Sequence, residues 1–146
     1  MALADEVLLV DDGSTDATAA TVRELASGSS SECRKIRLVG LERNGGRFLA
    51  RLAGAREARG ERVLFLDSRI VLTAEFGSAL KSVMVEHANI IGSVDIDISR
   101  NVFCLYWERS HRVIFREHYR AAVRPIVLTS ENYDRYLKGT TVFLCS

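Results

Sequence analysis

Three times before residue 73 this chain sets a short aliphatic run directly against a polar turn and follows the turn with a helical pattern. The first instance is the sharpest. Val7–Val10 (V-L-L-V) is a run of four aliphatic residues, and Asp11-Asp12-Gly13-Ser14-Thr15-Asp16 stops it at once. A short apolar run bounded by turn residues reads as a buried strand. The second strand is expected at Lys35–Leu41, ending in the turn Glu42–Gly46. The third is expected at Arg62–Leu66, ending in Asp67-Ser68-Arg69. Strands that alternate with helices pair in parallel through right-handed crossovers. The alternation therefore predicts an α/β fold, with a mostly parallel sheet flanked by helices. In such sheets ligands bind just outside the carboxyl ends of the strands, which is where all three polar turns fall.

The helices follow from local signals. Ser14 or Asp16 can cap the first, in which Ala17, Ala20, Val22 and Leu25 supply a partial apolar face, and Ser27–Ser31 ends it. The second spans Arg47–Arg59, with Phe48, Leu52 and Ala55 on one face, Leu49 and Ala53 beside them, and Gly60 as its stop. Thr73 caps the third, expected to reach roughly His87, with Glu75 in its first turn and Leu80, Val83 and Met84 on its buried side. Beyond it the rhythm changes. Asn89–Ile98 and Val102–Glu108 are expected to form a hairpin. Arg109–Arg124 is basic and ambiguous, and Pro125–Leu128 and Thr140–Leu144 are short strands around a helical turn near Asn132–Lys138. At 146 residues this is a single domain of two differently built halves, 1–72 and 73–146.

Composition narrows the function classes. Twenty Lys+Arg against 19 Asp+Glu leave a net charge of +1, which gives no ground for nucleic-acid binding. Cys33, Cys104 and Cys145 are scattered and odd in number, which argues against a disulfide framework or zinc site and for a reducing compartment. No apolar run approaches the ~20 residues of a membrane span, and the N-terminus lacks a signal-peptide pattern. The expected location is the cytoplasm, including the cytoplasmic face of a membrane.

Each chemistry-bearing feature has a plainer alternative. Asp11-Asp12-Gly13-Ser14 is either an ordinary strand-to-helix turn or a ligand site, and the second carboxylate exceeds what capping needs. Asn44-Gly45-Gly46-Arg47 is either a turn with a solvated basic face or a helix N-terminus suited to phosphate, with Arg47 and Arg51 one turn apart. Asp67 is either a capping residue or a carboxylate at the ligand edge of the sheet. His87, His111 and His118 lack metal-ligand spacing. Phe103, Tyr106 and Trp107 read as core, and Arg109, Arg112, Arg116 and Arg120 as a solvated helix face. No P-loop, G-x-S-x-G or G-x-G-x-x-G is present.

Taken in order, the three segments resemble the family 2 glycosyltransferases. They are V-L-L-V-D-D-G-S-T-D-A-T at Val7–Thr18, R-N-G-G-R-F-L-A-R-L-A-G-A-R-E-A-R-G-E at Arg43–Glu61, and V-L-F-L-D-S at Val63–Ser68. The resemblance covers about the first half of the chain and implies a GT-A fold, a Rossmann-like α/β architecture, here with a less regular C-terminal half. It divides the domain into a nucleotide-sugar-binding half and a partial acceptor half. It implies transfer of a sugar from a nucleoside-diphosphate donor to a glycan, lipid or protein acceptor. Asp12 would contact the nucleobase with Asp11 in support, and Asn44, Arg47 and Arg51 would lie near the donor. Asp67 would be the first residue of the D-x-D motif, which holds the Mn2+ or Mg2+ that bridges the diphosphate.

Three departures accompany the resemblance. Arg69 stands where the second D-x-D aspartate belongs, so either Arg69 neutralises the diphosphate itself, Asp67 alone binds metal weakly, or no donor is turned over. Only six residues precede Val7, where the family carries a further strand. The expected consequence is an exposed sheet edge that favours a homodimer. The family's general base is a downstream acidic residue, for which Glu131 and Asp134 are the late carboxylates on offer. A fragment of a longer protein, or a non-catalytic domain that binds nucleotide or a partner protein, is the alternative expectation.

Overall fold

A computed structural model describes residues 4–87, 89–91, 102–114, 125–132 and 142–145. The chain divides into two compact units, Met1–Val63 and Leu64–Ser146.

The first unit is a strand–helix–strand–helix series. Strand β1 (Val7–Asp11) leads through helix α1 (Thr18–Ala26) and a short 3-10 turn at Cys33–Lys35 to β2 (Ile36–Gly40), and helix α2 (Arg47–Glu57) follows. β1 and β2 pair in parallel, in register from Val7 opposite Ile36 to Asp11 opposite Gly40. The backbone amide of Leu41 donates to the Asp11 carbonyl at 2.8 Å and carries the ladder one residue further. Among the described residues β1 has a strand on one side only.

The N-cap of α1 is Ala17, which makes no side-chain cap bond, rather than Ser14 or Asp16. Asp16 Oδ1 accepts from the Thr18 amide at 2.9 Å, whereas Ser14 is drawn into the preceding turn. Its inward face is Ala19, Val22 and Ala26, while Ala17, Ala20 and Leu25 face solvent. α2 differs from expectation in the same way. Gly54 is its buried residue, and a Cβ there would lie 3.0 Å from Val10 Cγ2. A helix seated that close to its strand must present small side chains inward, so Phe48 is turned out and is 76 % exposed. The ends of the unit are tied by charge. Arg37 on β2 reaches Glu6 Oε2 at 3.0 Å and Glu57 Oε2 at 3.5 Å, and Glu6 also accepts from the Arg59 amide.

The second unit holds the remaining strands, in a four-stranded sheet of order β3-β6-β4-β5. These are β3 (Val63–Leu66), β4 (Ile90–Ile91), β5 (Ile126–Val127) and β6 (Val142–Cys145). β4 pairs antiparallel with both β5 and β6. Thus β3, although it continues the strand–helix alternation, hydrogen-bonds into a different sheet from β1 and β2. Helix α3 (Ala74–Val83) starts as its sequence dictates, with Thr73 Oγ1 accepting from the Phe76 amide at 3.2 Å. Among the described residues, the well-buried apolar side chains are Leu80 on α3 with Ile90, Ile126, Leu128 and Leu144.

One element overturns its reading. Val102–Ile114 is helix α4, so the hairpin between Asn89–Ile98 and Val102–Glu108 does not form. β4 instead takes its partners from the C-terminal part of the chain. Phe103 and Tyr106, read as core, are exposed on α4. The expected turn at Asn132–Lys138 lies outside the described residues past Asn132, as do Gly92–Ile98, His118 and the later arginines. Among the described residues no helix is long and apolar enough to cross a membrane.

Candidate functional site

At the carboxyl end of β1 the chain reverses through Asp11–Ser14, and its first carboxylate holds the reversal. Asp11 is the buried polar side chain of the described residues, and its Oδ1 accepts from the Ser14 amide at 2.9 Å. The hydroxyl and amide of Ser14 keep its carboxyl below the usual carboxylate range. Gly13 makes the turn sterically feasible. Its φ is +73°, and a Cβ there would come within 2.6 Å of the Arg43 carbonyl carbon and 2.7 Å of the Asn44 nitrogen. Such contacts are with backbone, which cannot swing away, so only glycine fits.

The second carboxylate reaches across to the other predicted turn. Asp12 Oδ1 accepts from the Gly45 amide at 2.8 Å and Oδ2 from the Gly46 amide at 2.7 Å. Two segments more than 30 residues apart in sequence are therefore one structural piece, with Asp12 as its clamp and Gly13 as its close contact. The sequence marks both turns separately but carries no signal for this pairing. The partners of Asp12 are backbone amides, which have no residue identity.

Gly46 (φ +84°) is the N-cap of α2 and brings no side-chain cap, so the amides of the helix's first turn are left to water or an anion. Arg47 is exposed at that end and Arg51 is half-buried one turn on. Asn44 is exposed on the loop that Asp12 clamps.

In the second unit, the chain leaves β3 through Asp67. Both of its oxygens are occupied. Arg69 Nε donates to Oδ1 and Nη2 to Oδ2, each at 3.1 Å, and the Arg69 amide adds a third bond to Oδ1 at 3.2 Å. The Asp67 carbonyl also accepts from the Ile70 amide at 2.9 Å. The Asp67 side chain is 13 % exposed and that of Arg69 85 %. The hydrogen bonds from Arg69 to Asp67 raise the guanidinium pKa above its already high ordinary value.

A hard divalent cation needs several converging oxygen ligands. This turn does not supply them, because one carboxylate is engaged in a two-pronged ion pair and the next candidate position is a cation. Among the described residues no group of three His, Cys, Asp or Glu side chains is arranged to hold a metal ion. Glu131 is exposed in the turn Ser130–Asn132, which Asn132 braces by accepting from the Thr129 amide and donating to the Val127 carbonyl, each at 2.9 Å. Asp134 lies outside the described residues.

Comparison with known proteins places the chain in a family. The model of a family described as Glycosyl transferase family 2 matches residues 2–137. No curated protein and no solved structure matches.

Proposed function

Because this chain belongs to glycosyl transferase family 2, a family of sugar-transferring enzymes with an α/β GT-A fold, we propose that it binds a nucleoside-diphosphate sugar and passes the sugar to an acceptor hydroxyl. The observation that carries the reading is the clamp of Asp12 on Gly45 and Gly46. It joins the two turns expected to share a donor and fixes their shape without a bound ligand.

The roles follow from the chemistry of the groups. A carboxylate has about four lone-pair sites, and two on Asp12 serve the glycine amides. The remaining two suit the N–H edge of a nucleobase. Asp11 positions Asp12 by holding the turn through Ser14. Asn44 borders the same loop. At the start of α2 the uncapped first-turn amides and the exposed Arg47, with Arg51 behind it, favour an anionic diphosphate. Transfer is an in-line displacement. The acceptor oxygen bonds to the anomeric carbon, the bond from that carbon to the diphosphate oxygen breaks, and the nucleoside diphosphate departs with the electron pair. The acceptor proton goes to a general base. Stabilising the leaving charge is the part this unit supplies.

A second reading draws on Arg69: a domain that binds nucleotide or a partner protein but transfers nothing. The same titration separates them. UDP, GDP and their sugar conjugates are added in turn while thermal stability and hydrolysis of the sugar conjugates are followed. At 100 times its Kd, a ligand that binds the folded state alone adds about 2.7 kcal/mol. A shift with hydrolysis supports transfer, and a shift without hydrolysis or transfer supports the second reading. The absence of any shift defeats the donor site. Asp12→Ala is expected to abolish the shift, and its persistence would remove Asp12 from the base site.

A further inference from the structure

We propose that helix α4 is an interfacial helix, whose exposed apolar face lies on an anionic phospholipid surface. The face belongs to the second unit and requires nothing of the donor site.

α4 (Val102–Ile114) turns its apolar side outward. Val102, Phe103, Tyr106 and Val113 are between 69 and 80 % exposed. At 3.6 residues per turn, Val102, Tyr106, Arg109 and Val113 stand at i, i+4, i+7 and i+11, a stripe down the helix. Arg109 lies on one margin of this face and Phe103 on the other. Tyr106, Arg109, Ser110 and Val113 line a shallow, open hollow along it. Single exposed apolar residues are ordinary on any protein. Among the other described helices, α1 shows one, Leu25, and α2 shows two, Phe48 and Leu49. Four on one face of a 13-residue helix form a surface, and an uncovered apolar surface is unfavourable in water.

Charge selects the occupant. The whole chain is balanced at +1, yet residues 109–124 contain five arginines, Arg109, Arg112, Arg116, Arg120 and Arg124, against one carboxylate, Glu117. Arg109 is exposed on the apolar face itself. A protein that covered the face with apolar side chains would bury that guanidinium, which is unfavourable unless a carboxylate meets it. A phospholipid surface imposes no such penalty. An arginine lays its aliphatic stem along the apolar layer and lifts its guanidinium to the phosphates. Tyrosine suits the same boundary, because its ring is apolar and its hydroxyl is wet. Phe103 and the valines supply the part that enters the acyl region. Apolar and aromatic residues on one face, with arginine at its margin, form the pattern of a helix that lies in the plane of a membrane. Its 13 residues rise about 20 Å, short of the ~30 Å hydrocarbon core, so α4 lies on the bilayer and does not cross it.

Co-sedimentation of the full chain with vesicles tests this. One set is phosphatidylcholine alone, and the other is phosphatidylcholine mixed with phosphatidylglycerol. The expected result is binding to the anionic set that weakens as salt rises, with little binding to the neutral set. Phe103→Ser is expected to weaken binding about tenfold or more through lost apolar burial. Arg109→Gln is expected to weaken it about fivefold through lost attraction to anionic lipid. Both residues are exposed, so both variants are expected to melt with the parent protein. No binding to the anionic vesicles, equal binding to both sets, or a Phe103→Ser affinity equal to the parent's overturns the assignment. Sedimentation equilibrium without lipid supplies the other arm. A parent dimer that Phe103→Ser dissociates gives the face to a second copy and overturns the lipid surface.

Discussion

Residues up to Val63 and residues beyond it are held by different forces. The first unit, among its described residues, has no fully buried apolar side chain. Its strands β1 and β2 are half-buried along most of their length, and Val7 is 42 % exposed. What locks it is directional: Asp11 on Ser14, Asp12 on Gly45 and Gly46, and Glu6 with Arg37 and Glu57. The second unit holds the buried apolar residues, from Leu80 at 2 % exposure and Ile90 at 1 % to Leu128 at 8 %. Burial gives cohesion without specifying a shape to the ångström, whereas hydrogen bonds specify shape and contribute modest net stability. The unit that carries the Asp11–Ser14 and Asn44–Arg47 turns is the one built by bonds.

Four changes would break or sharpen this contrast. The largest effect is expected from Leu80→Ala, which should cost the second unit about 2–5 kcal/mol through lost burial and a residual cavity. Amide hydrogen exchange should show β4 and α3 opening while β1 and β2 keep their protection. Equal loss in both units would mean that they are not separate in their energetics.

Gly13→Ala comes next. Strain at a positive φ and a methyl pressed on the Arg43–Asn44 backbone should together cost the first unit about 2–3 kcal/mol. Chemical denaturation followed by exchange at Leu41, whose amide bonds to Asp11, would read it. A stable Gly13→Ala protein would show that the two turns part easily.

Asp12→Ala should cost about 1–2 kcal/mol, less than the glycine change, because water can reach the Gly45 amide once the carboxylate is gone. Asp12→Asn retains one acceptor oxygen and should fall midway. A thermal melt that ranks the two in the opposite order would contradict the clamp.

The smallest effect is pH-dependent and should appear in the first unit. Glu6 is held below the usual carboxylate range chiefly by the Arg59 amide, Asp11 by Ser14, and Asp16 by Thr18. A carboxyl whose pKa is lower folded than unfolded stabilises the fold above its unfolded value, about 4. That contribution is lost as pH falls through the folded value. Exchange protection at Leu41 should therefore fade on acidification below about pH 4. Protection that faded on raising the pH from 5 to 8 would reverse the sign.

The sequence was most legible where local chemistry decides the outcome. Thr73 caps α3 and Asp16 binds the start of α1 because a short side-chain oxygen next to bare amides has few alternatives. The two glycine-marked turns fall where the aliphatic runs end. Legibility failed at Val102–Trp107, a continuous apolar and aromatic run that periodicity cannot assign to strand or helix. Its helix leaves Phe103 and Tyr106 exposed. It failed also at Phe48, since which side of α2 faces inward depends on how close β1 lies, and that distance is set by Gly54 and Val10.

By itself the sequence determined the alternation of strand and helix, the positions of the polar turns, and a family membership that those turns carry. Each is local, resting on the backbone preferences and hydrogen-bonding capacity of neighbouring residues. Tertiary structure alone decided that Asp12 closes on the amides of Gly45 and Gly46 and that β3 joins β6 rather than the first sheet. It also decided that the Asp67 carboxylate is spent on Arg69. Those outcomes depend on which groups arrive at the same place. A carboxylate has several partners within reach of its chemistry, and only the folded chain selects among them.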